Sequence, residues 1–246
     1  MNEAGGNQGD IFEDDYTEER TAFEKLLNAM YSRPFQIASA AELELVTKLA
    51  EYFQALPILS FALSRALQIS TGFLETLYDD SARVIIAAYK LHHAPLFREC
   101  LIYVLGPWDK PEFETIEHEE IQQVALRARN ALSVQLLDAQ MEVLSQAFWK
   151  SQSGGGALVL QCTHDDLSRG GHVSFPKLMR RIHTTALDLS LDVPILISLM
   201  ENKLVFGQSS IAGGEYDLYD DPLEDHILCT KIGDEELPWD PNQLEW

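Results

Sequence analysis

The chain has 246 residues, 46% of them hydrophobic, enough to fill the core of one large domain or two small ones. Its 39 acidic and 18 basic side chains give a formal charge of −21, which argues against a nucleic-acid partner, because neutralising phosphates takes clustered Lys and Arg. The longest apolar run, VPILISLM at 193–200, is far too short to cross a bilayer, so no membrane association is expected.

The charge is concentrated at the two ends. Residues 1–20 carry a net −6 and residues 215–246 a net −10, leaving an ordinary −5 for the stretch between them. The start, MNEAGGNQGD, has neither the basic nor the apolar region of a secretory signal. Cys100, Cys162 and Cys229 lie far apart, are odd in number and form no CxxC pair, so neither a disulfide framework nor a zinc ribbon is indicated. Together these features predict a soluble intracellular protein, cytoplasmic or nuclear.

Residues 1–16 are rich in Gly, Asn and Asp, a composition that predicts disorder. From Thr17 the pattern turns helical. Ala22, Phe23, Leu26, Leu27 and Met30 recur at steps of three and four, and SRPF ends the run. In SAAELELVTKLAEYFQAL, Ser39 and Glu42 stand at capping-box spacing, with Leu43, Val46, Leu49, Ala50 and Phe53 on one face. Pro57 opens the next helix, with Leu59, Ala62, Leu63, Ala66 and Leu67 as its apolar positions. Asp80 or Ser81 starts another helix, which ends at His92 and His93. Pro95 begins a helix that Gly106 and Pro107 stop.

A loop leads to the longest predicted helix, about residues 117–150. One stripe on it is Ile121, Ala125, Ala128, Leu132, Leu136, Ala139 and Val143. A second is Leu126, Leu137, Leu144 and Phe148. Apolar residues on two flanks predict a helix sandwiched between layers. SQSGGG ends it, with a Gly-rich hinge at residues 153–156. PKLMRRIHTTALDLS and VPILISLMENKLV read as shorter helices, the second with strand character in part. No repeat of 30–50 residues is clear enough to establish a solenoid, although successive helix pairs resemble one loosely.

For chemistry, the two adjacent histidines and Cys100 first suggest a metal or nucleophile site. Their positions favour a structural role. His92 and His93 fall at a helix C-terminus, where a His interacts favourably with the end carbonyls, and Cys100 sits among Leu96, Phe97, Leu101 and Val104 as a small hydrophobe. The best metal candidate is Cys162 with His164 and His172, since thiolate and imidazole suit zinc. A fourth ligand would have to be His183 or an acid at no recognised spacing, so this metal-dependent enzyme or structural zinc reading is the alternative to a non-catalytic one. No nucleophile elbow, Walker loop or dinucleotide fingerprint is present, and DEE at 234–236 is more simply a solvated run than half of an acid–base pair. The residues thus assign no catalytic group, no cofactor and no bound metal. In the acidic tail, LPWDPNQLEW carries Trp239 and Trp246, which read as anchors on this chain or on a partner.

The segments AFEKLLNAMYS, LAEYFQALPILSFALSRAL and YDDSARVIIAAYKLHHAPLFRECLIYVLGPW resemble a group of BTB/POZ-domain proteins common in filamentous fungi, and DHILCTKIGDEELPWDP is similar to their ending. The resemblance runs from about Phe12 to Trp246. Only about twenty residues precede AFEKLL, so the chain resembles a BTB protein lacking the sheet-bearing front of that domain. The resemblance implies a mainly α fold with little or no sheet. Its parts would be an acidic N-terminus (1–16), the last BTB helices (17–78), a BACK-like helical region (79–206), and an acidic tail partly packed on the body (207–246). It further implies a non-catalytic protein–protein adaptor, linked in some BTB proteins to ubiquitin-ligase recruitment. The partner is an unidentified protein, with self-association expected if the helices of 17–32 and 39–69 leave apolar faces that the absent sheet would cover.

Overall fold

A computed structural model of the chain describes residues 10–106, 108, 110–149, 175–188, 194–206, 223 and 226–242. The described residues are mainly α-helical and contain no strand, as the sequence predicts. The chain divides into two compact units, Met1–Phe97 with Pro241–Trp246, and Arg98–Asp240.

In the first unit, α1 spans Asp10–Met30, α2 Ala40–Tyr52, α3 Leu56–Ile69, α4 Thr71–Thr76 and α5 Ser81–Lys90; α6, Ala94–Leu105, begins there. α1 starts seven residues before Thr17, the helix start expected from the sequence. The core of this unit is formed by Ala22, Leu26 and Ala29 of α1, Leu43, Val46 and Ala50 of α2, and Leu59, Leu63, Ala66 and Leu67 of α3. α2 opens on the Ser39 cap read from the sequence, whose Oγ accepts the Glu42 amide at 3.2 Å; the Glu42 carboxylate reaches one residue further back than a capping box requires and accepts the Ala38 amide at 2.6 Å. Glu42 also pairs with Lys25 of α1.

Three helices of this unit end in the same way. Ser32, Gln54 and His92 have φ of 53°, 54° and 46°, the left-handed region that favours glycine. At each, the residue itself donates to the carbonyl three back and the next residue to the carbonyl five back, as in Arg33 N–H to Asn28 O at 2.7 Å. This is a Schellman closure, which satisfies the last carbonyls and turns the chain sharply enough for the following helix to return alongside. AEYFQALPIL (50–59) and AYKLHHAPLF (88–97) show the same closure 38 residues apart, with Gln54 matching His92 and Pro57 matching Pro95. The α2–α3 and α5–α6 connections are therefore one turn used twice, a repeat that the side chains disguise.

His93 is 4% exposed and caps α6 as an acceptor: its Nδ1 takes the Leu96 amide at 3.2 Å, and its Nε2 lies 2.9 Å from Ser64 Oγ. The expected interaction of His93 with the preceding helix end is thus replaced by a bond to the start of the next one. Burial lowers its pKa to about 4, so the ring is neutral at physiological pH.

In the second unit, a 3-10 turn at Glu112–Thr115 leads to α7, Glu119–Trp149, followed by α8, Phe175–Asp188, and α9, Pro194–Met200. Ile121, Ala125, Ala128, Leu132, Leu136, Ala139 and Val143 are all buried, and the last four pack with Met179, Ile182, Leu196, Leu199, Ile227 and Cys229. The second stripe is different. Leu126, Leu137 and Leu144, together with Val134 and Met141, are each more than half exposed. Among the described residues α7 is covered on one face and not two, in contrast to the sandwiched-helix expectation; the side chain of Phe148 lies outside them. Arg129 fixes the chain after α6: its guanidinium stacks 4.6 Å from the Trp108 ring centre and donates to the Trp108 carbonyl at 2.8 Å.

Residues 226–240 of the tail are packed within this unit. Ile227, Leu228, Ile232 and Leu237 are buried and Trp239 is half-buried. HILCTKI forms no helix and is tied in by backbone bonds, with Lys203 N–H donating to Leu228 O at 2.9 Å and Ile227 N–H to Gly106 O at 3.3 Å. Arg98 holds the next segment by donating to Ile232 O at 2.9 Å and pairing with Asp234. Arg180 donates to the carbonyls of His226 at 2.6 Å and Leu223 at 3.3 Å. The run DEE forms a single 3-10 turn whose Glu236 carboxylate closes back on the Gly233 amide at 2.7 Å.

Candidate functional site

α3 is apolar on both sides. Leu59, Leu63, Ala66 and Leu67 point into the core, while Ile58, Phe61, Arg65 and Ile69 follow one another along the other face. Opposite that face lies the end of α1 and the extended SRPF segment. Between them runs an open groove of about 440 Å³. Its floor is set by small or buried residues, Ala29, Phe35, Ala62 and Ala66, and its edges by Met30, Arg33, Ile58, Phe61, Arg65 and Ile69. Phe61 is 89% exposed, an uncovered ring in the middle of an apolar strip.

The groove is held open by polar contacts at one end. Ser70 Oγ receives the Ile37 amide at 2.8 Å and donates to Ala66 O at 2.7 Å, and Gln36 Nε2 donates to Ile69 O at 3.0 Å. These bonds tie the SRPFQI segment to the last turn of α3. The closure at Ser32 aims the chain there in the first place. Pro34 and Pro57 on the lining carry no N–H, and the helical walls keep their amides in their own ladders, which leaves a guest strand few backbone groups to pair with.

The sequence-predicted site residues fall elsewhere. His92, His93 and Cys100 are placed as helix closure, helix cap and core: Cys100 is fully buried, and desolvation raises its thiol pKa well above the ordinary value. Cys229 is likewise buried, its thiol pushed up to about 12 by desolvation. Thiolate chemistry is suppressed at both. Cys162, His164 and His172, the hinge at 153–156, and Trp246 lie outside the described residues. Among the described residues, which include His183, no group of three His, Cys, Asp or Glu side chains is arranged to hold a metal ion.

The groove itself was invisible as a site in the sequence, because its residues carry no motif. The available signal was indirect: Met30, Ile58, Phe61 and Ile69 are apolar yet off the buried stripes of their helices. The expectation that the helices of 17–32 and 39–69 leave apolar faces uncovered does hold among the described residues, since Phe23, Met30, Tyr31, Tyr52, Phe53, Ile58, Phe61 and Ile69 are exposed. Compared with protein-family models, with curated proteins and with solved structures, the chain matches none, so any functional reading rests on its own residues.

Proposed function

We propose that the protein is a non-catalytic interaction module, an adaptor that grips a protein segment in the groove between α1 and α3. The observation that carries this reading is the groove's lining: an exposed apolar strip centred on Phe61, open to solvent, whose polar side chains are Ser32, Arg33 and Arg65, with no carboxylate or imidazole beside Ser32 on the lining to activate it. Contiguous exposed apolar surface rimmed by charge is costly to leave in water and marks interaction sites. The resemblance of AFEKLL, LAEYFQALPIL and AAYKLHHAPLF to the helices of BTB proteins points the same way, and with it a role in ubiquitin-ligase recruitment. The alternative, a metal centre on Cys162, His164 and His172, has no described geometry to favour it.

The test is quantitative affinity capture from cells with the full chain and with Phe61→Asp. Phe61 is so exposed that the substitution leaves the fold intact. A set of proteins held by the wild type and lost from the variant supports the proposal; a cullin in that set supports the ligase role. Identical sets, or none, overturn the groove as the functional surface.

A further inference from the structure

Resting on that reading, we infer that the groove takes one particular kind of guest: an amphipathic helix of about three turns whose apolar stripe is flanked by carboxylates. The first argument is shape. From Ile58 to Ile69 the groove wall runs roughly 16 Å along α3, at a 1.5 Å rise per residue. The wall presents side chains at steps of three and four, Ile58, Phe61, Ala62, Arg65 and Ile69, the ridge pattern that interlocks with the ridges of a second helix. Ala29, Ala62 and Ala66 keep the floor low enough for close approach. An extended guest would find little backbone pairing here, whereas a helix brings its own hydrogen bonds and needs only side-chain anchors.

The second argument is charge. The segment 1–97 contains seven basic residues. Arg20, Lys25, Arg83 and Lys90 are each paired with a carboxylate. Among the described residues Arg33, Lys48 and Arg65 form no ion pair, and two of these three, Arg33 and Arg65, stand on the edges of the groove. In a chain of charge −21, two guanidinium groups left unpaired beside an apolar trench select an acidic guest. The same overall charge disfavours the other anions that two arginines could hold, a nucleic-acid backbone or an anionic bilayer surface, because both would face repulsion from the rest of the molecule.

The experiment is a display selection of 15-residue helical peptides with randomised faces on the full-length protein, followed by titration of the enriched peptides by fluorescence anisotropy. Enrichment of a three-turn apolar stripe flanked by Asp or Glu is the expected result. Affinity should be lost in Phe61→Asp. It should fall about tenfold in Arg33→Glu with Arg65→Glu, the sum of two exposed ion pairs. That double variant should also bind peptides with Lys in place of the acids better than the wild type does, a reversal that mere structural damage cannot produce. Enrichment of apolar peptides with no charge preference overturns the acidic-guest inference while leaving the groove reading in place. Enriched peptides that bind Phe61→Asp unchanged, or no enrichment at all, overturn both. A dimer in sedimentation that dissolves in Phe61→Asp assigns the groove to a second copy and overturns the inference.

Discussion

Nε2 of His93 lies 2.9 Å from Oγ of Ser64 while Nδ1 of the same ring accepts the Leu96 amide at 3.2 Å, so one buried imidazole ties α3 to the start of α6. The acceptor role of Nδ1 places the ring proton on Nε2, where Ser64 receives it, and a second proton would break the cap.

This arrangement makes stability depend on pH. The folded pKa, about 4, lies below the unfolded value of 6.5. Between those values the unfolded chain binds a proton that the folded one refuses. The contribution is therefore complete above about pH 6.5 and is lost as the pH falls towards 4, a loss of about 2–4 kcal/mol. Urea midpoints of the wild type and His93→Gln should converge on going from pH 7.5 to pH 4.5. Parallel curves would show that the ring is not held neutral.

The three left-handed closures at Ser32, Gln54 and His92 each place a side chain where glycine is preferred. Replacement by Gly should raise stability by up to about 1 kcal/mol per site, the order of the strain relieved less the added entropy of the unfolded chain. Ala at the same sites should give no gain, because it keeps the Cβ. A chemical-denaturation series in which Gly and Ala behave alike would refute the assignment.

Glu99 on α6 is fully buried and accepts the amides of both Val205 and Phe206, the latter at 3.2 Å. Glu99→Ala leaves those amides without their acceptor and should cost about 2–4 kcal/mol. Asp234→Ala should cost less than about 1 kcal/mol, because its pair with Arg98 is exposed on the Asp234 side. Equal costs in equilibrium unfolding would mean that burial is not what separates the two.

Gly106 lets the tail pass. A Cβ there would sit 2.3 Å from the buried His226 ring, in the stretch where Ile227 N–H reaches Gly106 O. Gly106→Ala should cost about 1–3 kcal/mol by overpacking and make the chain after residue 223 more sensitive to protease. Unchanged limited proteolysis would show that the tail docks by other means.

Buried thiols should be slow to react. In a Cys162→Ser variant, Cys100 and Cys229 should be modified by a thiol reagent only at the rate of unfolding, since desolvation raises both thiols. Fast labelling in buffer would contradict their burial.

The sequence by itself determined the helices. Periodicity, capping residues and prolines placed α2, α3, α5, α6 and α7 because these signals act within a few residues of one another. It also placed the buried stripe of α7 and the docked tail, whose apolar residues are spaced too regularly for a solvated segment. It missed α4, TGFLET, which is too short to show a period. Only the tertiary structure decided the rest. Whether Leu126, Leu137 and Leu144 are covered depends on what another element brings to that face, and the residues of one helix do not encode it. His93 could be read as a donor to the helix before it; its role as a cap on the helix after it required Ser64, 29 residues earlier, to come within hydrogen-bonding distance. The groove is the clearest case. Met30, Arg33, Phe61 and Arg65 become one surface only when the closure at Ser32 turns the chain back along α3, a long-range juxtaposition that no local pattern carries.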